Sequence, residues 1–296
     1  MDPTLDSKPA SEPVKMKKWK KIVRLPPSTP CALVSYKELP EYMKDNEFIL
    51  SYYRANWPLK GALFSIFRWH NETLNVWTTT SNNLIDLKPE SESDVTRVTR
   101  WPFYVFLAGS MFCLLSSTIC HLFSCHSHHL NLSLLRLDYA GITAMIITSF
   151  FPPIYYIFQC DPQWHFVYLG GITVLGLFTI ATLLSPALST KKFRGFRALL
   201  FSSMALFGII PGIHAAVVNW SNPRSNVTLA YELAMAMFYL TGTLFYISRI
   251  PERFKPGWFD LAGHSHQIFH ILVVMGALAH YGASLVFPDW LDRHSC

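Results

Sequence analysis

Charge is scarce in this chain. Lys, Arg, Asp and Glu make up only 15% of the 296 residues, against a hydrophobic share of 51%. A soluble domain that apolar would aggregate, so most of the length is expected in lipid. Met1 to Val14 lacks an apolar stretch and holds three prolines, so no cleaved signal peptide is expected there. The six cysteines, Cys31, Cys113, Cys120, Cys125, Cys160 and Cys296, lack CxxC spacing, and no disulfide framework is expected. Cys113, Cys120 and Cys125 cluster in or just after one apolar run, and Cys125 is at most an accessory metal ligand. Neither a GxSxG nucleophile turn nor a phosphate-binding loop is present. Nucleic-acid binding is not indicated, because the net charge of +6 is consistent with cytoplasmic loops.

What is present is a set of long apolar runs. Trp101–Phe123, Leu135–Phe158, Trp164–Ser185, Phe196–Asn219, Thr228–Ser248 and His266–Phe287 are each about 20 residues, as a ~30 Å hydrocarbon core requires. They predict an all-α membrane protein with six clear spans. Trp101, Tyr156, Trp164, Trp220 and Trp290 sit near run ends, where amphipathic rings prefer the headgroup level. Gly170, Gly171 and Gly176 are expected to let neighbouring helices approach closely.

Lys191, Lys192, Arg194 and Arg197 follow the third run, and Arg249, Arg253 and Lys255 follow the fifth. Both connections are therefore expected in the cytoplasm, with Asp161–Pro162, Ser221–Val227 and the C-terminus outside. The N-terminal cluster Lys15, Lys17, Lys18, Lys20, Lys21 and Arg24 also favours the cytoplasm, and an even number of spans cannot satisfy both ends. The stretch Thr78 to Arg100, where a further span would lie, is polar, acidic and contains Pro89, so it cannot cross lipid as a helix. Three regions follow: 1–100 of cytoplasmic type, a bundle over 101–290, and a tail at 291–296. Sequons at Asn219 and Asn226 fall in the outer connection but hug the membrane, while Asn71 and Asn131 are expected to face the cytoplasm.

Two histidine signatures stand at the edges of these runs, Ser117-x3-His121 and His266-x3-His270. Residues four apart share a helix face, so His266 and His270 can present two imidazoles to one point and His121 can complete three ligands. With this topology His121, Asp138, His266 and His270 all reach the cytoplasmic-side layer. Three imidazoles with an open position suit Zn2+, with iron or manganese as alternatives. Ser117 lies one turn before His121, and Asp138 is placed to hydrogen-bond a metal-bound water or a histidine N–H. Taken singly, each histidine reads as an interfacial side chain; their joint placement favours a site. His126, His128, His129, His165, His214, His264 and His280 read as polar or interfacial fillers.

NEFILSYYR (Asn46–Arg54), FRWHNETLNVWT (Phe67–Thr78), Ser117-x3-His121 with CHS at Cys125–Ser127, LLRLDYAGI (Leu134–Ile142) and SHQIFHILVV (Ser265–Val274) together resemble the progestin and adipoQ receptor, or haemolysin-III-like, family. That family includes adiponectin receptors and plant heptahelical proteins, and the resemblance spans about residues 40 to 290. It implies a seven-helix bundle with a cytoplasmic N-terminus and a zinc ion near the inner leaflet on His121, His266 and His270, with Asp138 and Ser117 beside it. This chain departs from the pattern after Thr78, where Thr79 and polar sequence replace an apolar helix, so the first of seven helices is missing.

The resemblance implies a multi-pass receptor-like protein in hormone or stress signalling, responding to a lipid or hormone-like ligand in the plasma membrane or an endomembrane. A second reading is a zinc-dependent hydrolase of a lipid amide such as ceramide, with Asp138 and Ser117 as candidate catalytic residues. A third treats the metal as a clamp between helices.

Overall fold

The computed structural model describes residues 31–81, 99–185, 188, 191–218 and 223–291. An N-terminal region precedes the bundle. It contains a two-residue ladder between β1 (Leu33–Val34) and β2 (Tyr53–Arg54), antiparallel with Leu33 opposite Arg54, then α1 (Leu59–Phe64) and α2 (Thr73–Ser81). The bundle follows as α3 (Trp101–Phe123), α4 (His128–Ser149), α5 (Phe151–Ile157), α6 (Gln163–Leu183), α7 (Arg194–Phe207), α8 (Ile209–Val218), α9 (Pro223–Ser248) and α10 (Ser265–Leu291).

Among the described residues, six helical stretches are long and apolar enough to cross a membrane, and the protein is an integral multi-pass membrane protein. Two expected spans are each built from two helices. The second breaks at Phe150, because Pro152 and Pro153 have no N–H to donate to the turn before. The fourth breaks at Gly208, where Pro211 does the same. Large apolar side chains such as Phe166, Val174, Leu199 and Val217 point outward, the arrangement a lipid surround favours. Several hydroxyls inside the spans are satisfied by their own helices, as Thr143 Oγ1 donates to Tyr139 O at 2.9 Å and Thr179 Oγ1 to Leu175 O at 2.9 Å.

The interior is a cluster of Phe150, Ile154, Phe158, Tyr168, Ile172 and Met204, where α4, α5, α6, α7 and α8 meet. The expected small-residue contacts are partly seen. A Cβ on Gly171 would stand 2.8 Å from Phe207, and one on Gly176 2.5 Å from Ile147. Gly170 faces open space, so the packing role expected for it is corrected: its side of α6 meets no neighbour.

The nine residues of α2 rise only about 14 Å, roughly half the apolar thickness. Part of the polar stretch, Thr78 to Ser81, is helical, whereas residues 82–98 lie outside the described residues. This α2 packs against α3 and α10, with Thr79 Oγ1 2.7 Å from Thr118 Oγ1.

The bundle has two chemically different ends. At one, Trp101 contacts Phe151 and Tyr155, and Tyr156 Oη donates to Thr99 O at 2.9 Å. Near that end Cys160 is disulfide-bonded, a single bridge where the spacing predicts no disulfide framework. At the other end, which carries the N-terminal region, Cys31 and Cys125 are free thiols.

Candidate metal centre

The last turn of α3 and the first of α10 come together at the thiol end. Arg54, although buried, donates from Nη2 to His121 O at 2.6 Å and from Nη1 to Leu122 O at 3.0 Å and Ser65 Oγ at 2.5 Å. Carbonyls at a helix C-terminus have no intrahelical partner and carry partial negative charge, so a guanidinium there satisfies both needs. The start of α10 is held by the opposite device. Glu252, fully buried, accepts the Ser265 N–H at 2.8 Å and bonds its hydroxyl, while Asn46 Nδ2 donates to the other carboxylate oxygen at 3.1 Å. Gln267 accepts the Gly263 N–H at 2.6 Å and donates to Leu261 O at 3.1 Å, closing the turn that presents His266.

These supports bring His121, His266 and His270 into one cluster that could hold a metal ion. The three Nε2 atoms form a triangle: His121 to His266 is 3.3 Å, His121 to His270 3.0 Å and His266 to His270 3.2 Å. His121 and His270 are buried and His266 is half-buried. Each neutral ring nitrogen is either donor or acceptor, so three converging atoms cannot satisfy all three mutual contacts with protons. A cation at the shared point satisfies three lone pairs at once.

Asp138 and Ser117 lie on α4 and α3, near His121. The Asp138 carboxyl lies within electrostatic reach of His121 and near the Ser117 hydroxyl, which is buried and makes no hydrogen bond. The remaining histidines lie elsewhere. His126 Nδ1 is 2.8 Å from Trp57 O, His214 Nδ1 is 2.9 Å from Tyr168 Oη, and His280 is buried against Glu232 at 2.9 Å. His264 is no interfacial filler: it is buried, with Nε2 3.1 Å from Asn71 O, and burial lowers its pKa. Asn71 is buried as well, so it is no glycosylation acceptor here. Cys125 packs with Trp57 and Ala62, and its thiol donates to Leu122 O at 3.7 Å, outside the histidine cluster.

One participant escaped the sequence reading. Glu72 Oε2 lies 2.8 Å from His121 Nδ1. The available signal was an acidic residue inside the polar HNET segment that leads into α2, a place where solvated carboxylates are ordinary. Beside it His70 is buried, with its pKa lowered to about 3 by burial first and then by the Arg54 charge.

Comparison with known proteins gives a consistent set of relatives. The model of the haemolysin-III-related family matches residues 67–281. Heptahelical transmembrane protein 1 of Arabidopsis thaliana is 63% identical over 277 residues, covering 89% of this chain and 83% of that protein. Heptahelical transmembrane protein ADIPOR1 of Oryza sativa subsp. japonica is 49% identical over 326 residues, covering 90% and 87%. That alignment is longer than this whole chain, so the rice protein carries internal residues with no counterpart here. The adiponectin receptor protein of Drosophila melanogaster is 37% identical over 256 residues, covering 83% of this chain and 57% of that protein.

Proposed function

The chain belongs to the haemolysin-III-related family, and from that premise we propose a receptor-like membrane protein with Zn2+ held by His121, His266 and His270 near the inner leaflet. The observation that carries the zinc reading is the Nε2 triangle, with sides of 3.0, 3.2 and 3.3 Å. Tetrahedral zinc with Zn–N near 2.0–2.1 Å needs ligand nitrogens about 3.3 Å apart, which this triangle nearly meets. An all-imidazole donor set also suits zinc better than a hard cation, which takes oxygen ligands.

The signalling part rests on relatives named as receptors in fly and as heptahelical proteins in plants. The histidines join α3 to α10, so a lipid or hormone-like ligand that shifts either helix would change the geometry at the cytoplasmic face. In this reading His121, His266 and His270 bind the ion, and Arg54 and Glu252 keep the two helix ends in register.

A second reading, zinc-dependent hydrolysis of a lipid amide, is favoured by the position of Asp138 and Ser117 beside His121. Bound zinc would supply a polarised carbonyl and an acidified water. Asp138 would then hold or move a proton, and Ser117 would orient the Asp138 carboxyl.

The test is metal content of the detergent-purified chain beside His121→Ala and the double variant His266→Ala/His270→Ala. About one zinc per chain is expected in the parent and none in the variants. A parent without zinc would end this reading. Asp138→Ala separates the two functions: a hydrolase loses turnover of a ceramide-type amide while keeping its metal, and a receptor shows no turnover to lose.

A further inference from the structure

We propose that Glu72 is a positioning residue of the histidine cluster, fixing the tautomer and ring orientation of His121 so that its Nε2 faces His266 and His270. This rests on the metal reading above and adds a residue from the N-terminal region to it.

The contact between Glu72 Oε2 and His121 Nδ1, at 2.8 Å, joins residues 49 positions apart. An ionised carboxylate can only accept, so the imidazole proton stands on Nδ1 and a lone pair is left on Nε2. In the other tautomer an Nε2–H would point at His266 Nε2 and His270 Nε2, 3.3 and 3.0 Å away, and would occupy the direction a cation needs.

Glu72 is itself held. Asn75 Nδ2 donates to the same carboxylate oxygen at 2.6 Å, and the Glu72 N–H donates to His70 Nδ1 at 3.1 Å. Thr73 closes the turn, accepting the His70 N–H at 2.9 Å and donating to Arg68 O at 2.9 Å. His121 is thus gripped twice by the N-terminal region, at its carbonyl by Arg54 and at its ring by Glu72. An ordinary exposed ion pair lacks such a scaffold. A carboxylate on the far nitrogen of a ligand histidine also raises the basicity of the ligating one, which strengthens binding.

The experiment measures zinc affinity by chelator competition on the full chain in detergent, for the parent, Glu72→Gln and Glu72→Leu, with melting of the zinc-free proteins recorded alongside. Affinity is expected to fall about 10-fold in Glu72→Gln, which keeps an acceptor but not the charge, and up to about 100-fold in Glu72→Leu. Zinc-free melting should be unchanged in Glu72→Gln. Parent-like affinity in both variants would overturn the assignment of Glu72 alone, whereas a parent that binds no zinc would overturn the metal reading with it. Where Glu72→Leu fails to fold, Glu72→Gln decides: a 10-fold loss supports the assignment, and parent-like affinity sinks it.

Discussion

Arg54 Nη2 lies 2.6 Å from the carbonyl oxygen of His121, across 67 positions of sequence. One buried guanidinium therefore terminates the helix that carries a cluster histidine and ties the N-terminal region to the bundle. Replacing it leaves helix-end carbonyls without a donor, a loss of about 2–4 kcal/mol. Arg54→Met should lower the melting temperature markedly, and Arg54→Lys should not fully restore it, because one ammonium nitrogen lacks the rigid fork whose two nitrogens reach His121 O and Leu122 O. Parent-like melting in Arg54→Met would remove this strut from the account.

Glu252 does the converse at the start of α10. Glu252→Gln keeps an acceptor for the Ser265 N–H but removes negative charge from a helix N-terminus, so a destabilisation of about 1–2 kcal/mol is expected. Fluorescence-detected melting checks it, and Glu252→Ala should be worse.

Metal removal gives a third expectation. At a free zinc concentration about 100 times the dissociation constant, binding contributes about 2.7 kcal/mol to the folded state. A strong chelator should lower the melting temperature of the parent and leave His270→Ala unmoved. Equal responses would mean that zinc does not stabilise the fold through this cluster.

The pH dependence of stability follows from His70. Its folded pKa of about 3 is below the ordinary histidine value, so the unfolded chain binds the proton more readily. The contribution of neutral His70 is fully present above about pH 6.5 and is lost progressively as pH falls toward 3. Melting temperature should fall on acidification, and His70→Asn should flatten part of that slope; an unchanged slope would assign it to other groups.

Close packing of α3 on α4 depends on Gly141. A Cβ there would meet Ser116 Oγ at 2.2 Å and the Cys113 backbone Cα at 3.0 Å, so Gly141→Ala should cost about 1–3 kcal/mol by overpacking. Gly170→Ala, with open space around it, should be neutral or slightly stabilising. Similar melting of the two variants would contradict the helix contact.

The spans and the three histidines were legible from local chemistry. Apolar length needs no partner to be recognised, and the four-residue spacing of His266 and His270 sets a shared face wherever the helix lies. Alternating loop charge then placed His121 in the same layer, since charge resists translocation independently of packing. The kinks were less visible, because Pro152 and Pro211 sit inside runs whose composition still reads as single spans.

Tertiary structure decided the rest. That Glu72 reaches His121 Nδ1, that Arg54 closes α3 and that Glu252 caps α10 all depend on which surfaces meet. Polar residues in a connecting segment look alike in sequence whether they face water or a buried helix end. Only packing removes the water and makes a particular donor or acceptor necessary, which is why the histidines could be read from their spacing and the residues that hold them could not.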